Sequence, residues 1–570
     1  MQVYRLYFGA MGTFPVIMLL ALFILGQGCQ LGMNYWLSYW SSQDSNDRIY
    51  MYLGVYTALG VCYSLFVISQ SIVTYVTCGI KAATTLHEGL LQNVMRAPMS
   101  FFDTTPLGRI INRFSKDQNT IDETLPRTFQ AYFRTLSQVF GILLVISIGS
   151  PYFTLAILPL AFLYFYVQRY YLATSRELKR LESTTRSPIY SHFSETLNGV
   201  ASIRAFDQSQ NFIKENERRL NDNQLAYYPT IASNRWLAIR LEAVGSMVVL
   251  LAALFAVVSF GKVDSATVGL TVSYALTITQ TLNWMVRMSC DLEANIVAVE
   301  RAKEYTHIKT EAPAIIPENR PPKSWPSRGE IEFRGYSTRY REGLDLVLKE
   351  VSCFIASNEK IGVVGRTGAG KSSLTLALFR IVESDSGAIV VDGNNISTLG
   401  LQDLRSNLTI IPQDPVLFTG SIRDNLDPFF QYSDEQVWKA LECAHLGAYV
   451  RSLEKKLEST VTQGGENLSV GQRQLVCLGR ALLRKTKVLV LDEATAAIDV
   501  ETDSIIQKTI REEFKDCTII TIAHRINTIM DSDRILVLDH GKVVEFDKPE
   551  TLLQNHSSVF YSLAHQAGLA

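Results

Sequence analysis

Five stretches of this 570-residue chain run without a single Asp, Glu, Lys or Arg: residues 12–40, 51–80, 135–168, 243–261 and 266–286. A helix needs about 20 apolar residues to cross the hydrocarbon of a bilayer. Uncharged runs of this length are rare in soluble cores, whereas a membrane imposes them. Four of the runs fit one crossing each. The third is too long for one and is broken at Gly149-Ser150-Pro151, so it reads as a hairpin of two. Six spans are expected, and with them an integral, multi-pass membrane protein. The mean hydropathy of +0.10 agrees.

Charge then orients the spans. The short connections 41–50, 149–152 and 262–265 carry only Arg48 and Lys262 as basic residues, whereas the long ones hold Lys81, Arg96, Arg109, Arg113, Lys116 and Arg127, then Arg176, Lys179, Arg180, Arg186 and Arg204. Basic residues near span ends stay on the cytoplasmic side, so both termini and both long loops, 81–134 and 169–242, are expected there. Residues 1–11 place Tyr4, Leu6, Tyr7 and Phe8 around Arg5, an amphipathic entry segment suited to the interface. The first apolar run lacks a small-residue cleavage site and is read as a retained span. The eight cysteines form no CxxC pair, which points to reduced thiols and away from a disulfide scaffold or a zinc site. A net charge of −1 argues for no particular partner, and no nucleic acid is expected.

Residues 306–328 contain Pro313, Pro317, Pro321, Pro322 and Pro326, too many for a helix or a central strand. This is a linker between a transmembrane domain at 1–305 and a second domain at 329–570. Beyond it the pattern changes to short apolar runs alternating with helices: strands at 360–364, 388–391, 487–491 and 518–522, and a helix at 370–379. Continuous apolar runs such as Val488-Leu489-Val490-Leu491 suit strands covered on both faces, hence an α/β core.

Inside that core, Gly365-Arg366-Thr367-Gly368-Ala369-Gly370-Lys371-Ser372, followed by Ser373, joins a predicted strand to a predicted helix. Glycines at this spacing let backbone N–H groups converge on phosphate oxygens at a helix N-terminus. Lys371 reaches the β/γ-phosphates of ATP and Ser372 ligates Mg²⁺. Some 120 residues on, the run ending at Leu491 leads into Asp492-Glu493. Asp492 at a strand end is placed to hold Mg²⁺ through water, and Glu493 to orient or deprotonate an attacking water.

With these residues in hand the chain resembles the ATP-binding cassette (ABC) transporters. Leu468-Ser469-Val470-Gly471-Gln472-Arg473-Gln474 is similar to the family's signature, Gln413 to its Q-loop glutamine, residues 497–499 to its D-loop and His524 to its switch histidine. Tyr340 resembles the aromatic that stacks on adenine, with Tyr336 as its rival. The stretches 100–115, 234–242 and 295–301 resemble the second halves of the multidrug-resistance-associated proteins of subfamily C. The resemblance implies a type IV exporter fold: an all-α six-helix membrane domain plus an α/β P-loop nucleotide-binding domain. It implies Glu493, His524 and Gln413 as catalytic residues, and Ser372 and Gln413 as Mg²⁺ ligands. Ser469, Gly471 and Gln472 would face ATP held by a first half of the transporter, on the same or a separate chain. Val470 stands where the general signature has Gly. The implied cargo is an amphipathic anion, such as a glutathione, glucuronide or sulfate conjugate, with Arg235, Asn283, Trp284 and Arg287 as pocket residues. Interfacial anchoring of those four at span ends is the competing reading, and an ATP-gated channel or channel regulator is the competing function. The plasma membrane is expected, with a vacuolar or lysosomal membrane as alternative.

Overall fold

The structure, a computed structural model, describes residues 2–43, 48–149, 153–258, 265–492, 500–523 and 526–568. They form two compact units, residues 1–95 with 107–308 and residues 96–106 with 309–570.

The first unit is helical. It comprises α1 (Gln2–Met11), α2 (Thr13–Ser41), α3 (Ile49–Ile72), α4 (Lys81–Met95), α5 (Leu125–Gly149), α6 (Phe153–Asn198), α7 (Ser209–Val258) and α8 (Ser265–Thr306). A π-helical stretch, Val73–Ile80, joins α3 to α4. Among the described residues, four helical stretches are long and apolar enough to cross a membrane: Thr13–Ser41, Ile49–Met95, Leu107–Ile148 and Ser209–Phe255. The other two expected spans fall in α6 and α8. The face of α8 is rich in Thr, Ser and Gln, which lowers its hydropathy without adding charge. Tyr7 and Met11 of α1 are fully buried, so the entry segment packs into the unit through one face. The helix carrying the third run starts at Leu125, so Arg127 and Arg134 lie on it; the sequence reading had placed both in a loop.

The second unit is α/β. A six-stranded sheet has the order β9-β8-β3-β7-β6-β5, formed by β3 (Lys360–Val364), β5 (Leu408–Ile411), β6 (Val488–Asp492), β7 (Thr518–Ile522), β8 (Arg534–Asp539) and β9 (Lys542–Asp547). Only β9 runs antiparallel to its neighbour. A second, antiparallel sheet contains β1 (Ile331–Thr338), β2 (Leu348–Ile355) and β4 (Ser384–Val391). Strand alternation divides the core in two: Val488 and Val490 point into a cluster with α9 (Lys371–Leu378), while Leu489 and Leu491 point into one with α10 (Val470–Arg484). Both faces of the parallel sheet are therefore covered, which explains its uninterrupted apolar strands.

The proline-rich segment has no regular element beyond the 3₁₀ turn Pro317–Asn319, yet from Lys309 it belongs to the second unit. Arg405 grips Glu311 through two hydrogen bonds of 2.9 and 2.8 Å. The buried Trp325 donates its indole N–H to the Val391 carbonyl at 3.0 Å. The short helix Met99–Thr104 of the first long loop also falls in this unit, and the Glu311 amide donates to the Arg96 carbonyl at 2.7 Å.

Candidate functional site

Four neighbouring parallel strands deliver the nucleotide motifs to one end of the sheet. Residue pairs Ile411–Leu491, Asp492–Ile522 and Ile522–Val363 lie side by side across β5, β6, β7 and β3. Gln413 therefore follows the end of β5, Asp492 ends β6, and Gly365 follows the end of β3. The carboxyl ends of parallel strands are where ligands bind in open α/β sheets. Glu493, the D-loop at 497–499 and His524 lie outside the described residues. In sequence Glu493 follows β6 directly and His524 follows β7 by two positions.

The loop after β3 has the shape its glycines allow. A Cβ on Gly365 would stand 2.3 Å from the Leu538 carbonyl oxygen, so no side chain fits there. Gly368 and Gly370 have φ of 83° and 99°, values that glycine adopts freely, and Gly370 caps the N-terminus of α9. Arg366, Thr367 and Gly368 are exposed, and Ala369 is buried beneath them. Lys371 Nζ donates to the carbonyls of Gly365 at 2.9 Å and Arg366 at 3.3 Å, holding the ammonium over the loop. Ser372 Oγ donates to Asp492 Oδ1 at 3.3 Å. Buried Ser373 shares a 2.7 Å hydrogen bond with the Tyr340 hydroxyl.

The two tyrosines have different surroundings. Tyr340 is 41% exposed. Tyr336 is buried edge-on against Phe333, and burial pushes its hydroxyl up to about 12. Of the two, only Tyr340 has a ring face open to a base.

Ser469 caps α10 in a reciprocal capping box: its Oγ accepts from the Gln472 amide at 3.1 Å, and its own amide donates to Gln472 Oε1 at 2.9 Å. Asn467 braces the preceding turn through the Thr462 amide and the Thr460 carbonyl. The result is an exposed helix N-terminus suited to an anion. Val470 is 39% exposed. Its side chain stands on the surface of the signature, and the fold makes no demand for glycine there. Further along α10, the buried Gln474 donates to the Pro412 carbonyl at 3.1 Å, linking the signature helix to the residue before Gln413. Sequence reading names Gln474 only as the last residue of the signature; the sole signal for this link is one amide on the buried face of an amphipathic helix.

In the helical unit, Trp284 lines a cavity of about 700 Å³ with Arg127, Gln130, Arg134 and Gln138 of α5 and Gln280 of α8. Arg287 lies over the Trp284 ring, 5.5 Å from its centre. A second cavity of about 410 Å³ shares Gln138, Thr277 and Thr281 with the first. Arg235, Asn283 and Arg287 are absent from both linings among the described residues. Next to Arg235, Trp236 tilts against Tyr170 at 5.6 Å and carries Arg240 over its ring. The structure thus puts one of the four expected pocket residues in a cavity wall, alongside Arg127, counted above as a loop charge, and Arg134, the last residue of the expected loop.

A P-loop α/β unit and a helical unit with membrane-long apolar helices, in one chain, define a membrane protein with a nucleotide-driven part. Residues 16–285 match the family described as ABC transporter transmembrane region and residues 348–496 the family described as ABC transporter. Over its whole length the chain is 52% identical to ATP-binding cassette sub-family C member 2 and 54% identical to sub-family C member 3, both of Mus musculus. It is 53% identical to ATP-binding cassette transporter abc2 of Schizosaccharomyces pombe. The chain spans 37%, 38% and 39% of the lengths of these relatives. It belongs to the ABC transporters, in subfamily C.

Proposed function

We propose that this chain is half of an ATP-driven exporter of amphipathic organic anions, such as drug conjugates of the glutathione, glucuronide or sulfate type. The observation that carries the reading is the convergence of Lys371, Ser372, Asp492 and Gln413 at the ends of adjacent parallel strands. Among its described residues the same chain holds four helical stretches long enough to cross a membrane. We assign residues 1–305 to the transmembrane domain with six spans and two cytoplasmic coupling loops, 306–328 to the linker and 329–570 to the ATP-binding cassette. The cassette faces the cytoplasm, and the plasma membrane is the proposed site.

In this reading Lys371 exchanges the carbonyls of Gly365 and Arg366 for phosphate oxygens, and Tyr340 stacks on adenine. Ser372 and Gln413 would present a hydroxyl and an amide oxygen to Mg²⁺, and Asp492, hydrogen-bonded to Ser372, would hold it through water. This donor set fits the ion, which prefers oxygen and keeps several waters and phosphate ligands. No group of three or more His, Cys, Asp or Glu that would suit a different metal occurs among the described residues. Bound Mg²⁺ neutralises charge on the transferring phosphoryl group. Glu493 takes the proton of the attacking water and His524 completes the γ-phosphate side. Ser469, Gly471 and Gln472 close over ATP held by the first half of the transporter, whose own signature completes the Lys371 site. That the chain covers little over a third of its relatives' length supports the need for this second half.

Vanadate-sensitive ATP hydrolysis, measured with and without a co-expressed first half, tests this reading. Turnover that requires both halves and disappears in Glu493→Gln is expected. Full turnover by the chain alone, or by that variant, contradicts it.

A further inference from the structure

We propose that Arg127 and Arg134 form the anion-selecting wall of the larger membrane-domain cavity and bind the two acidic groups of a dianionic amphipath. The proposal rests on the exporter reading above and names the residues that choose its cargo.

Positions 127 and 134 are two helical turns apart on one face of α5, roughly 10 Å along the axis at 1.5 Å per residue. Gln130 and Gln138 extend the same face, and all four line the cavity. To the same cavity α8 contributes Gln280 and Trp284. Helix α5 thus gives the cavity two cations and two amides, and α8 gives it an amide and a flat apolar ring. A ligand with acidic groups and a ring matches both contributions.

Depth argues against a bystander role for Arg134. From Arg134 to the far end of α5 at Gly149 is roughly 22 Å of helix, against about 30 Å of hydrocarbon. Arg134 therefore sits about 8 Å inside the near edge of the hydrocarbon, and Arg127, roughly 33 Å from Gly149, sits at that edge; an unpaired cation within a span is costly and marks a functional site by default. Among the described residues, neither guanidinium is engaged by a carboxylate or another hydrogen-bond partner. A guanidinium has five donors in a planar fork, matched to carboxylate, sulfate or phosphate oxygens. The shared chemistry is thus a multivalent oxyanion, presented by a soluble amphipath or by an anionic lipid headgroup.

The test uses the intact transporter containing this chain, in phosphatidylcholine nanodiscs with and without phosphatidylglycerol. The probes are pyrenes bearing two, one or no sulfonate groups, and binding is read by fluorescence without nucleotide. Arg134→Gln is expected to weaken disulfonate binding roughly tenfold or more, the scale of losing a hydrogen bond to a charged group. The monosulfonate should lose less and the neutral pyrene nothing, with Arg134→Lys recovering part of the loss, the charge without the fork, and Arg127→Gln repeating the order. Equal losses for all three probes, or none for any, overturn the proposal. Unchanged disulfonate binding with a lost response to phosphatidylglycerol also overturns it and assigns the arginine to lipid. If the charge-graded loss holds but ATP drives no uptake of the disulfonate, the exporter reading fails and the site stands. If uptake is ATP-driven and indifferent to both arginines, the site fails and the exporter reading stands.

Discussion

Ser372 Oγ lies 3.3 Å from Asp492 Oδ1, joining the start of the phosphate-loop helix to the end of a strand 120 positions later in the chain. Both groups are oxygen donors of the kind Mg²⁺ takes. Asp492→Asn should raise the Mg²⁺ concentration that half-saturates ATP hydrolysis by about tenfold or more, since one unit of charge is lost beside the ion. ATP binding without Mg²⁺ should change little. A Mg²⁺ titration of ATPase activity decides this, and an unshifted midpoint removes Asp492 from the metal site.

Lys371→Ala should abolish labelling of this cassette by a photoreactive ATP analogue at concentrations that saturate the parent protein. The substitution leaves the two carbonyls now holding Nζ facing the phosphates without a cation. Photolabelling followed by peptide mapping to residues 365–379 is the measurement, and undiminished labelling counts against the loop assignment.

How much of this was legible in the sequence differs between the units. The phosphate loop and the Asp492 strand are contiguous motifs legible from local chemistry, and strand order places them at the same sheet end; the signature was legible only through the family resemblance. The expected strands at 360–364 and 518–522 agree with the observed ones, because each is a short run dominated by β-branched residues. Long-range partnerships were not legible. Neither Glu311 with Arg405 nor Gln474 with the Pro412 carbonyl leaves a periodic signal, since each joins segments far apart in the chain. Arg134 was hidden differently: counting charges ended the third run at Thr135, while helix geometry carries the same face back through Arg134 to Arg127.

A buried ionic knot makes the cassette sensitive to acid. Arg423 bonds Asp427 at 3.1 Å and Asp434 at 2.9 Å, with the Arg423 and Asp427 side chains nearly inaccessible. Burial alone would raise the Asp427 carboxyl, but the Tyr432 and Gln431 amides and Arg423 outweigh it and hold its pKa below the usual range. A lowered folded pKa contributes stability that is complete above the ordinary value of about 4 and is lost as pH falls through the folded value. Asp427→Ala should destabilise by about 3 kcal/mol, near the lower end for breaking a buried pair, because Asp434 still faces Arg423. It should also flatten the acid limb of stability below pH 4. Thermal unfolding at pH 7 and at graded acid pH checks both.

Trp284→Ala should reduce uptake of conjugated anions several-fold and leave basal ATP hydrolysis largely intact. An aromatic contact is worth about 0.5–1.5 kcal/mol beyond its buried area, and the ring is half-exposed in the cavity wall. Uptake of a glucuronide and a glutathione conjugate in parallel is the check; normal uptake of both assigns Trp284 to anchoring at the bilayer interface.

The central claim is that this chain couples ATP hydrolysis to anion export as one half of a pair. ATP-dependent accumulation of a labelled glutathione conjugate in inside-out vesicles, with the chain alone, with a co-expressed first half, and with that half plus Glu493→Gln, tests it most directly. The account predicts accumulation only for the unmodified pair, none with a non-hydrolysable ATP analogue, and no ATP-gated ionic current. Full accumulation by the chain alone, or a nucleotide-gated current without accumulation, would contradict it.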